Sequence, residues 1–206
     1  RMDAQGRPLV EFDESTFASR AREAFDAGQR VAAVVLLHAD KNAAHEETAE
    51  RILREAGFEH VTSSSQVASE IRILPRLQTA IVDAYLSPVI LEYLGRIQLA
   101  LEAGSLLVMT SAGALVGSSA FRPKDSLLSG PAGGIAGAAR AGRASEMHRL
   151  LAFDMGGTSS HVARYDGDFE YSFEHSVGAA RLLAPALAIE SVAAGGGSIC
   201  SFDGLR

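Results

Sequence analysis

The sequence predicts an α/β fold with a mixed sheet and glycine-lined loops, and three observations support it. Helical-period segments alternate with a β-branched run through the first half. Glycine then crowds the second half, with 4 of the 20 glycines in residues 1–103 and 16 in residues 104–206. There, short apolar runs are separated by glycine, and one pair flanks the hairpin signal Asp166-Gly167.

The elements follow in order. Asp13 can cap a helix over residues 14–27, with Phe17, Ala21, Ala24 and Phe25 on one stripe and Gly28 as its stop. Residues 31–37 are continuously apolar and largely β-branched, as expected of a parallel strand covered on both faces. Residues 44–56 place Ala49, Ile52, Leu53 and Ala56 at helical spacing and end at Gly57, before a short strand at residues 60–63. Residues 76–103 have a helical period, and Pro88 within them predicts two helices or one kinked helix. Strands are expected at residues 106–110, 150–153, 160–165, 169–173 and 189–194.

Composition narrows the function. The 206 residues carry 19 Lys and Arg against 25 Asp and Glu, a formal charge of -6, with 47% hydrophobic residues. No basic run supplies the positive field that nucleic-acid binding needs, so nucleic acid is not an expected partner. No apolar stretch approaches the roughly 20 residues of a membrane span, and no membrane association is expected. No basic segment followed by an apolar run and a small-residue cleavage site marks export. The single cysteine, Cys200, excludes an internal disulfide framework; it is expected to be a buried, inert thiol, and a reducing cytoplasm the home. The opening at Arg1 in mid-pattern suggests a piece of a longer protein.

Three glycine segments carry the chemistry. Phe153-Asp154-Met155-Gly156-Gly157-Thr158-Ser159 reads as strand and tight loop. Gly156 and Gly157 lack the Cβ atoms that would hold a phosphate away, so backbone N–H groups can face an anion beside the Thr158 and Ser159 hydroxyls. Asp154, at the strand end, is placed to hold Mg²⁺ directly or through water and is the candidate catalytic and metal residue. The segment is neither a Walker motif nor a dinucleotide fingerprint, because no Lys follows the glycines and the chain continues as strand. A plain glycine hairpin is the competing reading.

In Ser129-Gly130-Pro131-Ala132-Gly133-Gly134, Pro131 suits a first helical turn that Ser129 can cap, so Gly133 and Gly134 would lie near an anion at the helix start. Equally, these small residues could simply permit close helix packing. Ala194-Gly195-Gly196-Gly197-Ser198 could line a nucleotide or merely turn the chain. His38, His60, His148 and His175 lack metal-ligand spacing. His45-Glu46 could cap a helix, and Arg76 and Asp83 could line a cleft or pair along a helix surface.

In order and spacing, the three segments resemble the hydantoinase A and 5-oxoprolinase family. His45-Glu46, Arg76-x-x-Thr79 and Asp83-Ala84-Tyr85-Leu86 with Pro88 extend the likeness over essentially the whole chain, and Arg164-Tyr165-Asp166-Gly167-x-Phe169-Glu170 leans toward the 5-oxoprolinase branch. The resemblance implies an actin-like fold with a ribonuclease H-like lobe, shared with sugar kinases and chaperone ATPases, in which two lobes close on ATP and Mg²⁺. Residues 1–110 would end the first lobe with its connecting helices, and residues 111–206 would open the second. Residues 154–158 would be the second phosphate loop; the first is not among these 206 residues, so the isolated piece is expected to be inactive.

The activity implied is ATP-dependent hydrolysis of a cyclic amide, such as 5-oxoproline or a hydantoin, through phosphorylation of its carbonyl oxygen and ring opening by water. A hydantoinase B-like subunit or fused domain and an oligomeric assembly are implied as well. The alternatives are the ATP-binding subunit of an acetone or acetophenone carboxylase, or a non-catalytic nucleotide-binding or assembly module. Two positions depart from the family. His161 stands where the 5-oxoprolinase-like pattern has Asp, replacing a hard oxygen ligand with an imidazole poorly matched to Mg²⁺. Ser111-Ala112-Gly113-Ala114 lacks a polar residue that often follows the serine.

Overall fold

Asp13 begins the first helix as its spacing requires: its carboxylate accepts the Thr16 N–H, and α1 runs Glu14–Asp26. In the computed structural model, which describes residues 1–101, 104–202 and 204, the order continues through β1 (Val31–Val34), α2 (Ala44–Ala56), β2 (His60–Ser63), α3 (Ser64–Val67) and α4 (Ile73–Ala100). Then follow β3 (Leu107–Met109), β4 (Leu115–Gly117), a 3₁₀ turn (Pro123–Ser126) and α5 (Ser129–Ala144). The chain closes with β5 (Arg149–Met155), β6 (Ser160–Asp166), β7 (Tyr171–Val177), β8 (Ala180–Leu187) and β9 (Glu190–Val192). Pairing is both parallel and antiparallel: β1 and β2 run parallel with Val31 opposite His60, whereas β5, β6 and β9 form an antiparallel sheet with β6 central.

The chain divides into two units. The first comprises residues 1–107, 117–124 and 173–184, and the second residues 108–116, 125–172 and 185–206. In the first, the apolar face of α2 (Ala49, Ile52, Leu53, Ala56) packs with Ala21, Val34, Phe58 and Val61. Gly57 ends α2 in the left-handed region, at φ 109°, where the missing side chain also makes room for the Phe25 ring. In the second, Ala132 and Ile135 of α5 pack on Ala163 and Leu187.

Several expectations need correction. The strand expected over residues 31–37 stops at Val34, because side chains take both polar groups of the Leu36 peptide flank: its N–H donates to Glu46 Oε1 and its C=O accepts from Arg76 Nη2. The helix expected over residues 76–103 starts earlier and runs as one element past Pro88, whose missing N–H simply leaves out one intrahelical bond; positions 102 and 103 lie outside the described residues. Asp166-Gly167 turns the chain, with Gly167 at φ 80°, yet it closes only the Tyr165–Phe169 bridge. A hairpin of β6 with the next strand does not form, since β5 and β9 already flank β6, and β7 pairs with β8 instead. Cys200 is exposed rather than buried, because the apolar residues around it do not pack: Ile199 and Phe202 are 95% and 79% exposed. No helix of the described residues is long and apolar enough to cross a membrane.

Candidate functional site

The second unit brings two of the glycine segments into direct contact. β5 ends at Met155, β6 begins at Ser160 directly opposite, and the intervening turn is closed by the Gly156 N–H donating to the Ser159 carbonyl at 2.9 Å. Ala194-Gly195-Gly196-Gly197-Ser198 lies along this turn. The N–H groups of Gly196 and Gly197 donate to the carbonyls of Gly156 and Gly157 at 2.9 and 2.8 Å, and the Ser160 hydroxyl donates to the Ala194 carbonyl at 2.6 Å. Gly195 is buried against the turn, while Gly196 and Gly197 are exposed.

These bonds orient the turn. A trans peptide is planar, with its N–H opposite its C=O, and the chain contains no cis peptide among the described residues. The Gly156 carbonyl belongs to the peptide that carries the Gly157 N–H, and the Gly157 carbonyl to the one that carries the Thr158 N–H. With both carbonyls held toward residues 196 and 197, the Gly157 and Thr158 N–H groups are aimed away from that segment, on an exposed turn, with no partner among the described residues. Two adjacent main-chain donors directed outward can together receive an anion.

Asp154 stands exposed on β5, opposite His161 of β6. Gly134 of α5 faces it: a Cβ there would meet the Asp154 Oδ2 at 3.6 Å. Between α5 and the sheet lies an open hollow of about 360 Å³, lined by Pro131, Gly134 and Ala138 on one side and Phe153, Asp154 and His161 on the other. Gly133 turns elsewhere, against Met109. Ser129 does not cap α5 as expected; it lies inside the first turn, and its hydroxyl donates to the Ser126 carbonyl.

The donor set decides what could be held here. No group of three or more His, Cys, Asp or Glu suited to a metal occurs among the described residues. One exposed carboxylate beside outward-directed amides suits Mg²⁺ that arrives with phosphates and keeps its waters, rather than a metal caged by protein alone. The ring nitrogens of His161 are engaged by hydroxyls, Ser159 Oγ at 3.0 Å from Nε2 and Ser191 Oγ at 2.8 Å from Nδ1.

In the first unit the motif residues upstream prove to be buried, a role the sequence reading left open. Arg76, Thr79, Asp83 and Ser87 share the inward face of α4. Arg76 donates to Asp40 and to the carbonyls of Glu70 and Leu36. Glu46, fully buried in the first turn of α2, does not cap that helix; it accepts from Leu36 N–H, the Ser64 hydroxyl and the Ser65 N–H in the first turn of α3, at the carboxyl ends of β1 and β2. That is where open α/β sheets commonly bind ligands, and here an internal carboxylate fills it. Asp83 accepts from the Thr62 hydroxyl and Lys124 N–H on the floor of a cleft of about 730 Å³. The polar spacing 76, 79, 83 and 87 on a helix of otherwise apolar period was the available signal.

Known proteins agree with this architecture. The family model for hydantoinase/oxoprolinase matches residues 76–206, and that for the hydantoinase/oxoprolinase N-terminal region matches residues 1–57. The chain is 40% identical over 202 residues to 5-oxoprolinase 1 of Arabidopsis thaliana, covering 96% of this chain and 16% of that protein. The nucleotide-free structure of an acetone carboxylase superposes with a TM-score of 0.83 at 25% identity, over 95% of this chain and 29% of the other. An ATP-dependent caprolactamase from Pseudomonas jessenii superposes with a TM-score of 0.81 at 26% identity, over 100% of this chain and 31% of the other. The chain thus spans about a sixth of the length of the Arabidopsis relative and under a third of either solved chain. With two family models covering most of its residues and its mixed α/β fold shared with these structures, the chain belongs to the hydantoinase/oxoprolinase family.

Proposed function

We propose that this chain is the part of an ATP-dependent cyclic-amide hydrolase, of 5-oxoprolinase or hydantoinase type, that supplies one wall of the nucleotide pocket. The observation that carries the proposal is the outward pair of amides at Gly157 and Thr158, fixed by the third glycine segment and set three and four residues beyond Asp154 on the exposed strand end. In this role the two N–H groups and the Thr158 and Ser159 hydroxyls bind phosphate oxygens, and Asp154 holds Mg²⁺ directly or through water. Bound ATP would supply the phosphoryl group that activates a lactam carbonyl for attack by water. The work left to the protein is to position charge and neutralise it, which is what fixed main-chain donors do without rearranging. Gly134 keeps the space beside the Asp154 carboxylate free of a side chain. A hydantoinase B-like subunit or fused domain completes the enzyme in this reading.

In the full-length protein, Asp154→Ala should abolish ATP hydrolysis dependent on 5-oxoproline or another lactam, with the melting temperature unchanged because the side chain is exposed. Unchanged turnover would overturn the assignment. The likeness to acetone carboxylase favours a second reading, in which a ketone and bicarbonate are the activated substrates. ATP consumption that requires acetone and bicarbonate, and is indifferent to lactams, would select it.

A further inference from the structure

We infer that His161 is a positioning residue for the Ser159 hydroxyl, able to donate to its oxygen so that the hydroxyl proton points outward to a nucleotide phosphate. The inference rests on the nucleotide reading above and deepens it. The geometry is a relay across three elements of one sheet: Ser191 on β9, His161 on β6 and Ser159 in the turn, with the imidazole between two hydroxyls at 2.8 and 3.0 Å.

A neutral imidazole has one N–H and one lone pair, so the two hydroxyls cannot both be donors to it or both be acceptors from it. If Nδ1 carries the proton, the ring accepts from Ser159 at Nε2. The only hydroxyl proton of Ser159 is then used inward, and its oxygen shows an anion nothing but lone pairs. If Nε2 carries the proton, it donates to Ser159 Oγ, the Ser191 hydroxyl donates to Nδ1, and the Ser159 proton is free to point at a phosphate oxygen. Every donor then runs in one direction, from Ser191 through the ring to the ligand. An anion beside the Gly157 and Thr158 amides selects this second arrangement. A carboxylate at position 161 could only accept from Ser159 and would hold its proton inward, so the imidazole makes Ser159 a phosphate donor in its own right.

The test is equilibrium binding of ATP with Mg²⁺ to the full-length protein. Ser159→Ala and His161→Leu should each weaken ATP about tenfold, the range expected for a hydrogen bond to a charged group. The double variant should bind about as well as Ser159→Ala alone, because His161 acts only through that hydroxyl. His161→Gln, whose amide N–H reaches about as far as Nε2, should stay within about threefold of wild type. Should His161→Leu fail to fold, Ser191→Ala serves the same purpose: it should weaken ATP in the presence of Ser159 and have no effect once Ser159 is Ala. Additive losses, or a Gln variant as poor as Leu, would overturn the relay. Wild-type affinity in Ser159→Ala overturns the relay while leaving the nucleotide reading intact, whereas a wild-type protein that does not bind ATP removes both.

Discussion

A Cβ on Gly195 would stand 2.6 Å from the Gly156 carbonyl oxygen, with the Gly157 carbonyl carbon and the Thr158 nitrogen each at 2.7 Å. All three are backbone atoms, so no flexible side chain can give way. The absence of a side chain at Gly195 is therefore what allows the third glycine segment to lie against the turn and orient its amides.

A graded series follows along that segment. Gly195→Ala should displace the turn, lowering stability by about 1–3 kcal/mol and ATP affinity at least tenfold. Gly197→Ala meets the Gly157 carbonyl oxygen at 3.0 Å and should have a smaller effect, and Gly196→Ala, whose nearest neighbour lies at 3.8 Å, should be nearly silent. Nucleotide titration and thermal melting of the three variants check the order. Equal effects would mean that contact with the turn is not what these glycines provide.

Arg76→Met should be the most damaging of the substitutions in the first unit. The Arg76 and Asp40 side chains are both buried, and the change leaves Asp40 with Lys41, at 3.7 Å, as its one cationic partner among the described residues, while the Leu36 carbonyl loses its donor. Removing one partner of a buried ion pair costs about 3–5 kcal/mol. Denaturant unfolding of the full-length protein, read as the loss in midpoint at constant slope, measures it.

Gly57→Ala should also destabilise, by about 1–3 kcal/mol, for two reasons at one position. Its φ of 109° is unfavourable for any residue with a Cβ, and the new atom would meet the Phe25 ring at 2.7 Å. Trimming that ring in Gly57→Ala/Phe25→Leu should recover only the steric share, and a melting comparison of the two variants separates ring clash from backbone strain.

The acid side of the stability profile should contain a contribution from Asp13. The Thr16 N–H, followed by the Thr16 and Ser15 hydroxyls, holds its carboxyl below the ordinary aspartate value. A depressed folded-state pKa means that the unfolded chain takes up the proton more readily. The contribution is therefore complete above the unfolded value, near pH 4, and is lost as pH falls through the folded one. Asp13→Asn keeps a capping oxygen that does not titrate, so its melting temperature should fall less steeply below pH 4 than that of wild type. Parallel curves would show that Asp13 does not couple to folding.

What was legible in the sequence was local. The cap at Asp13, the stop at Gly57 and the strand-turn-strand around Gly156 each depend on residues within a few positions of one another, where dihedral preference and spacing act directly. The same locality explains the misses. Asp166-Gly167 turns the chain as its composition demands, but the partner of β7 was settled by which edges of β6 were already taken. β8, which contains Pro185 and three alanines, carried no strand signal of its own, yet it is among the most buried strands; its Leu183 N–H donates to the Thr79 hydroxyl, 104 residues away.

By itself the sequence determined that glycines and one carboxylate would meet at a strand end, and which family the chain resembles, because backbone freedom and residue chemistry are properties of short segments. Only the tertiary structure decided which way the Gly157 and Thr158 amides face, that Glu46 and Arg76 would be buried, and that His161 would be held between two serines. The amides depend on residues 194–197, His161 on Ser191, and Glu46 and Arg76 on Leu36, Asp40 and Ser64, partners whose hydrogen bonds exist only once folding has brought distant segments together.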